Sequence, residues 1–173
     1  AVSGPVVLCA FGAYYPHDDR SLFRAVIDMA RERPGVRFVL GLGDRFAVSE
    51  AGVLPDNVLV LRWVPQLAVL SRADAAIVHG GASTVLECIH HGVPMVVLPF
   101  DMNDQQGNAA RVAYHRIGLV RERARATPES LGRALDVVLG DREIRERCAR
   151  LGEVSRRCEE EGQAVREVEA LLA

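Results

Sequence analysis

Six apolar segments of strand length alternate with helical patterns along the chain, and this alternation constrains the fold more than any other feature. The strand-like segments run from Val6 to Phe11, Val36 to Leu42, Val58 to Trp63, Ala75 to Val78, Met95 to Leu98 and Gly118 to Arg121. They are apolar almost throughout, which is typical of strands buried on both faces of a parallel sheet. The alternation therefore predicts an α/β fold with a doubly wound parallel sheet of about six strands.

The segments between the strands carry helical periodicity and residues that begin or end helices. The predicted helices run from Asp18 to Arg33, Gln66 to Arg72, Ala82 to His91 and Asp104 to His115. Thr127-Pro128-Glu129 has the pattern of a helix start. Largely helical chain follows it, with expected breaks near Gly140 and Gly162, and a loop is expected from Gly43 to Asn57.

The composition indicates one globular domain and excludes several function classes. The chain has 173 residues and a formal net charge of −2, and all 21 of its basic residues are Arg. It has no basic stripe, so nucleic acid is not an expected partner. Its apolar runs are far shorter than the roughly 20 residues that span a bilayer, so no membrane span is expected. The use of Arg without Lys indicates a GC-rich bacterial genome.

The four cysteines have neither paired spacing nor the spacing of metal ligands. They are Cys9, Cys88, Cys148 and Cys158. This distribution predicts reduced thiols and a cytoplasmic location. His90 and His91 are expected to project from different faces of their helix, so no metal site is expected.

One junction between a strand and a helix carries the groups best suited to an anion. The segment His79-Gly80-Gly81-Ala82-Ser83-Thr84 opens a predicted helix. The two glycines let the backbone approach a ligand, and the helix N-terminus offers N–H groups and a positive dipole end. The imidazole and the hydroxyls add further donors, so the segment predicts a diphosphate site. The alternative is structural, because Thr84 to Glu87 also matches a helix capping box.

The expected sheet topology places that junction where a ligand binds. Six strands in the common order 3-2-1-4-5-6 put the ligand beyond the carboxyl ends of the first and fourth strands. Those ends are Phe11-Gly12-Ala13 and His79-Gly80-Gly81. Glu87, one turn into the following helix, can reach a sugar hydroxyl.

Further candidates lie at the same predicted edge of the sheet. Trp63 is the only tryptophan, and it either packs in the core or forms a stacking surface for a base. Gln66 can hydrogen-bond a base or a ribose. Asp104 and Gln105 open the helix after the fifth strand, where Asp104 is either a helix cap or, with Gln105, a ligand of sugar hydroxyls.

Several nucleotide and hydrolase motifs are absent from the sequence. The first strand is followed by no G-x-G-x-x-G, and a phosphate-binding P-loop requires the Lys that the chain lacks. Gly81 to Val85 lacks the second glycine of a nucleophile elbow. Neither a dinucleotide cofactor nor a serine nucleophile is therefore expected.

Together, four segments resemble the donor-binding motif of family 1 glycosyltransferases. The segments are Trp63-Val64-Pro65-Gln66, His79-Gly80-Gly81 with Glu87, Gly92-Val93-Pro94, and Asp104-Gln105-Gln106-Gly107-Asn108-Ala109. The family comprises the UDP-glycosyltransferases and their bacterial macrolide and antibiotic relatives. The resemblance implies that residues 1–173 are the donor-binding, Rossmann-like C-terminal half of a GT-B fold.

The resemblance also implies a role for each matching residue. Trp63 and Val64 would bind the base, Gln66 the base or ribose, and Glu87 the ribose. The diphosphate would be bound by His79, Gly80, Gly81, Ser83, Thr84 and Gly12, and the donor sugar by Asp104 and Gln105. Ala10 and Ala13 depart from the hydroxyl residues common in the first loop of the family, which leaves that loop only backbone contacts.

The implied reaction is transfer of a hexose or deoxyhexose from a UDP- or dTDP-sugar to a small-molecule acceptor, with inversion and without metal or cofactor. The catalytic base would lie on an N-terminal acceptor domain that this chain lacks, so the chain alone would be inactive. It would be either truncated or the donor-binding subunit of a split enzyme. The alternatives are a GT-B sugar-nucleotide epimerase, and a partner-binding subunit with a vestigial site.

Overall fold

A six-stranded parallel sheet forms the centre of the computed structural model, which describes residues 4–12, 20–43, 49, 52–101 and 104–172. Every pair of neighbouring strands is parallel, and the strand order is β3-β2-β1-β4-β5-β6. The strands are β1 (Val6–Ala10), β2 (Arg37–Gly41), β3 (Val58–Leu61), β4 (Ala75–Val78), β5 (Met95–Val97) and β6 (Gly118–Val120). The α/β class and the strand order predicted from the sequence are confirmed.

Seven α-helices accompany the sheet within the described ranges. They are α1 (Arg20–Arg31), α2 (Gln66–Leu70), α3 (Ala82–His90), α4 (Gln105–Tyr114), α5 (Pro128–Gly140), α6 (Arg142–Glu160) and α7 (Gln163–Leu172). The helix start at Thr127 is confirmed, since Thr127 Oγ1 accepts a hydrogen bond from Ser130 N–H at 3.2 Å. The breaks near Gly140 and Gly162 are confirmed as well. None of the helices described is long and apolar enough to cross a bilayer.

The core lies on both faces of the sheet, which explains why the strands are apolar throughout. Val7 and Cys9 of β1 belong to a cluster that also contains buried residues of α1 and α5. Leu8 and Ala10 point to the opposite face and join buried residues of α3, α4 and α6. Because consecutive strand residues alternate between faces, a strand covered on both sides has no polar positions.

The four cysteines are free thiols, and all of them lie in the described ranges. Cys9, Cys88 and Cys148 are buried in the two core clusters. Burial raises the pKa of these three thiols, to about 12 for Cys148. The sequence-based expectation of unpaired cysteines is confirmed.

The end of the third strand differs from the prediction. The third strand was expected to reach Trp63, but β3 ends at Leu61, because its partner β2 ends at Gly41. Trp63 therefore lies beyond the sheet, in a bend. The predicted start of the first helix at Asp18 lies outside the described residues, and so do residues 44–48, 50 and 51 of the loop expected from Gly43 to Asn57.

One buried side chain joins the last turn of α1 to the start of β2. Asn57 is 9% exposed, and its side-chain amide donates to the carbonyl oxygens of Ala30, Arg33 and Val36 at 2.9, 2.9 and 2.8 Å. Its own carbonyl accepts from Phe38 N–H at 2.8 Å. The Ala30 and Arg33 carbonyl oxygens also accept from the N–H groups of Arg33 and Val36, so Asn57 adds a second hydrogen bond to each and joins the end of α1 to β2.

Candidate functional site

The candidate residues lie where the strands end, at one edge of the sheet. Gly12 follows β1, Trp63 follows β3, His79 directly follows β4, and Asp104 lies between β5 and α4. Since all six strands are parallel, their carboxyl ends meet at the same edge. The topology therefore brings together residues that are far apart in the sequence.

A cavity of about 220 Å³ opens at this edge. Its lining comes from the ends of β1, β2 and β3 and from the start of α3, and consists of Ala10, Phe11, Gly12, Gly41, Gly43, Arg62, Trp63, Val64, Gln66 and Thr84. Trp63 is 54% exposed. The interpretation of Trp63 as a core residue is therefore wrong, and its indole is available as one wall of the cavity.

Gln66 connects this cavity to α3. Its side-chain amide donates to Thr84 Oγ1 at 3.2 Å and also to the carboxylate of Glu87. The alternative of a capping box at Thr84 to Glu87 is wrong, because α3 begins at Ala82 and has Gly81 at its N-cap position. The network holds the Glu87 carboxylate next to the cavity, although Glu87 does not line it.

The His79 imidazole is buried beside the N-terminus of α3. His79 is only 6% exposed, and its Nδ1 lies 3.4 Å from the carbonyl oxygen of Ala10. Its ring also makes an edge contact with Phe100, with centroids 6.4 Å apart. Nε2 lies over Gly81, only 2.6 Å from the position that a Cβ would take there. Gly81 has an extended backbone (φ −61°, ψ 142°) that other residues also adopt, so glycine is required there for space.

Substituting Gly81 with alanine is expected to displace the His79 ring and weaken any anion binding at α3. The new methyl would collide with Nε2 and lie 3.1 Å from Cε1. Calorimetric titration with UDP would measure the loss, and thermal unfolding would report on the fold. Gly140→Ala is the matched control, because nothing lies within 4 Å of its Cβ position. Equal UDP affinity in Gly81→Ala and the unsubstituted chain would contradict this prediction.

Gly80 requires glycine for two reasons. Its φ is +89°, in the region that other residues rarely adopt. A Cβ there would also lie 3.0 Å from Val97 Cγ1 and 3.3 Å from the carbonyl oxygen of Gln105. The close approach fixes the start of α3 against the start of α4.

The Asp104 carboxylate reaches the N-terminus of a neighbouring helix. Its Oδ2 accepts from Ala82 N–H of α3 at 2.9 Å and from the Asn108 amide at 2.6 Å. Asn108 also donates to the Gly80 carbonyl at 3.0 Å. Asp104 does occupy the N-cap position of α4, as one interpretation of the sequence had it, but its side chain makes no capping hydrogen bond to that helix. Sequence reasoning gave Asn108 no role, although its position one turn after Asp104 was a signal.

Several donors stabilise the ionised form of Asp104. A hydrogen bond from its own backbone N–H is the largest influence that lowers the pKa of this carboxyl. The Asn108 amide, the Ala82 N–H and the charge of His79 lower it further, against a smaller opposing effect of desolvation. Asp104 is therefore an anion at neutral pH.

Gln105 and Ser83 differ sharply in exposure. Gln105 is fully buried, and its Oε1 accepts from Phe100 N–H at 3.0 Å. Its Nε2 is buried and has no hydrogen-bond partner among the described residues. Ser83 is exposed in the first turn of α3. Neither residue lines the cavity beside Trp63.

A second, larger cavity of about 570 Å³ lies at the ends of β5 and β6. Its lining includes Phe100, Asp101, Arg121 and Arg123, and the Arg123 guanidinium carbon lies 4.3 Å from the centre of the Phe100 ring. Phe100 also contacts His79, so it separates this cavity from the start of α3. The sequence reasoning gave no role to either Phe100 or Arg123.

Within the described ranges, no group of three or more His, Cys, Asp or Glu side chains is arranged to hold a metal ion. His90 contacts Glu159 of α6, with Nδ1 3.5 Å from a carboxylate oxygen. Its ring makes an edge contact with that of His91 at a centroid distance of 5.2 Å. These histidines lie at the end of α3 opposite to His79.

Comparisons with known sequences identify the family. Residues 38–169 match the model of the erythromycin biosynthesis protein CIII-like C-terminal domain. The chain is 35% identical over 153 residues to demethyllactenocin mycarosyltransferase from Streptomyces fradiae, covering 88% of this chain and 32% of that protein. It is 33% identical over 148 residues to oleandomycin glycosyltransferase from Streptomyces antibioticus, covering 84% of this chain and 34% of that protein. The chain thus spans about a third of these relatives.

Solved structures give the same result. The calicheamicin glycosyltransferase CalG4 superposes with a TM-score of 0.91 at 28% identity, covering 99% of this chain and 44% of CalG4. The glycosyltransferase VinC, solved in complex with dTDP, superposes with a TM-score of 0.77 at 26% identity, covering 98% of this chain and 43% of VinC. The chain therefore belongs to the erythromycin biosynthesis protein CIII-like C-terminal domain family, and its fold is that of the C-terminal half of GT-B glycosyltransferases.

Proposed function

We propose that this chain binds the nucleotide-sugar donor, a UDP- or dTDP-sugar, of an inverting glycosyltransferase. The observation that carries the proposal is the sequence of groups along one sheet edge. An exposed indole, a Gln–Glu pair and a buried imidazole at a helix N-terminus match, in turn, a base, a ribose and a diphosphate. The dTDP complex of the structurally similar VinC supports the choice of ligand class.

In this proposal the nucleoside lies in the cavity beside Trp63. The base stacks on the exposed indole next to Val64. Glu87 accepts hydrogen bonds from the ribose hydroxyls, and these replace part of its bond with the Gln66 amide. The freed amide then donates to the base or the ribose.

The diphosphate binds over the first turn of α3. The N–H groups of this turn, the hydroxyls of Ser83 and Thr84 and the His79 imidazole donate to its oxygens, and the backbone at Gly12, Gly80 and Gly81 leaves it room. Negative charge grows on the diphosphate as the bond to the sugar breaks. Donors that are already in place stabilise that charge without a metal ion or cofactor.

The donor sugar lies towards Asp104 and Gln105. The Asp104 carboxylate accepts from sugar hydroxyls. The buried Nε2 of Gln105, with no partner in the described part of the chain, supports a donor role towards a polar group of the ligand. A shift at the start of α4 is required for this contact, since Gln105 is fully buried.

The acceptor and the catalytic base belong to a part of the enzyme outside this chain, either an N-terminal domain or a separate subunit. The antibiotic glycosyltransferases of Streptomyces among its relatives support a hexose or deoxyhexose as the transferred group, a small-molecule acceptor and a bacterial source. The same relatives favour transfer over epimerisation. The chain alone is expected to bind nucleotide without transferring sugar.

The fluorescence of the single tryptophan tests the donor-binding proposal. UDP or dTDP is expected to quench Trp63 emission on titration, since Trp63 is 54% exposed and forms one wall of the cavity. UMP, which lacks the second phosphate, is expected to bind about tenfold or more weakly. Calorimetry on the same sample gives an independent measure. The proposed function would be refuted if a folded sample showed no quenching and no heat of binding with UDP and none with dTDP.

A further inference from the structure

We propose that the Asp104 carboxylate competes with the donor diphosphate for the N-terminus of α3 and thereby promotes release of the nucleoside diphosphate after transfer. The inference rests on the proposed donor-binding function and deepens it. It gives Asp104 a second partner besides the donor sugar.

The geometry places one anion where another must bind. Asp104 and Ala82 are 22 residues apart in the sequence, yet Oδ2 of Asp104 lies 2.9 Å from Ala82 N in the first turn of α3. Asn108 holds the same oxygen at 2.6 Å and is itself fixed by the Gly80 carbonyl. The carboxylate therefore accepts from one N–H group that a diphosphate would use, and it offsets part of the positive electrostatic field at the N-terminus of α3.

The carboxylate keeps its charge in this position. Its own backbone N–H, the Asn108 amide, the Ala82 N–H and the charge of His79 all lower the pKa of Asp104. Binding of the diphosphate must weaken the contact of Asp104 with α3.

The competition acts differently on the donor and on the product. In the donor, sugar hydroxyls donate to Asp104 and compensate for its loss of Ala82 N–H. On transfer, the bond from the anomeric carbon to the diphosphate oxygen breaks, and its electron pair stays on that oxygen. The free nucleoside diphosphate then carries about one more negative charge and offers Asp104 no hydroxyl donor. Repulsion between the two anions favours departure of the product.

The test is a titration of the chain and of its Asp104→Asn variant with UDP and with dTDP. Neither ligand carries the transferred donor sugar that would contact Asp104, so only the competition is measured. The variant is expected to bind both about fivefold more tightly, which matches the effect of one charge at a helix N-terminus. Stopped-flow Trp63 fluorescence should show slower dissociation. The gain should shrink between about 0.05 M and about 0.5 M salt, because exposed charges are screened.

Asp101→Asn is the matched control, since it removes the same charge from the same loop. The Asp101 carboxylate accepts from the Gln106 amide at 2.9 Å and makes no hydrogen bond to α3. Thermal unfolding of each variant verifies the fold.

Each outcome of the titration separates the two proposals. Binding to the unsubstituted chain with equal or weaker binding to Asp104→Asn would overturn the competition and leave the donor site standing. An equal gain in affinity in Asp101→Asn would show that the gain comes from net charge alone, and this would overturn the competition as well. Absence of binding to all three proteins would contradict the donor site itself.

Discussion

His79→Ala is expected to lower the affinity of the chain for UDP and dTDP by about 10- to 100-fold. A hydrogen bond to a charged group contributes roughly 1.5–3 kcal/mol, and the buried His79 imidazole lies beside the first turn of α3. Calorimetry would give the dissociation constants. His79→Gln keeps a neutral hydrogen-bond donor, so its affinity should lie between that of the unsubstituted chain and that of His79→Ala.

The control for His79 is His115→Ala, an exposed histidine at the end of α4. It should leave nucleotide affinity unchanged. Loss of affinity in His115→Ala, or full affinity in a folded His79→Ala variant, would show that the imidazole at α3 does not bind the ligand.

The orientation of the ring predicts that diphosphate binding takes up a proton. Nδ1 faces the Ala10 carbonyl, so a neutral ring that donates there leaves Nε2, on the Gly81 side, without a hydrogen. Donation to a phosphate oxygen at Nε2 then requires the imidazolium form. Calorimetry in buffers of different ionisation enthalpy should show proton uptake on binding of UDP. His79→Ala should lose the part of this uptake that comes from the imidazole.

Asn57→Ala is expected to lower the free energy of unfolding by about 3 kcal/mol. The substitution removes a buried amide that donates to three carbonyl oxygens and leaves a cavity in its place, and the loss of buried hydrogen bonds is costly. For a chain of this size, the expected fall in Tm is about 6–12 °C. Chemical denaturation with urea would give the free energy directly.

Asn57→Asp sharpens this prediction. A carboxylate at this position faces three carbonyl oxygens and has no proton to donate at neutral pH, so it should destabilise at least as much as alanine. The carbonyl oxygens favour the protonated acid in the folded chain, and protonation restores one donor. The difference in free energy of unfolding from the unsubstituted chain should therefore narrow as pH falls from 7 towards about 4, the ordinary pKa of Asp. Asp56→Ala is the control, since Asp56 is exposed beside it. A stable Asn57→Asp variant at pH 7 would contradict the role of the amide.

Much of the site was predictable because it follows from strand order. The strands are buried on both faces, so their sequences are apolar almost throughout and can be recognised. Parallel strands place all their carboxyl ends at one edge of the sheet. Gly12, Trp63, Val64, Gln66 and Thr84 indeed line one cavity. The glycines Gly80 and Gly81 occupy positions where a side chain would collide or strain the backbone.

Contacts between side chains of different elements were not predictable. Asp104 matched a helix cap in the sequence, but its carboxylate bonds to α3. Gln105 matched an accessible sugar ligand, but it is fully buried. Thr84 and Glu87 matched a capping box, but both bond to Gln66 of α2. Each motif has a local meaning and a tertiary one, and local spacing does not distinguish them.

The sequence by itself determined the fold class, the strand order and the edge that gathers the candidate residues. These depend on which faces are buried, and burial sets the pattern of apolar residues. Only the tertiary structure decided that Trp63 is exposed, that Asn57 joins α1 to β2, and that Asp104 lies at the N-terminus of α3. These depend on distances of about 3 Å between residues far apart in the chain, which hydrophobic periodicity does not encode.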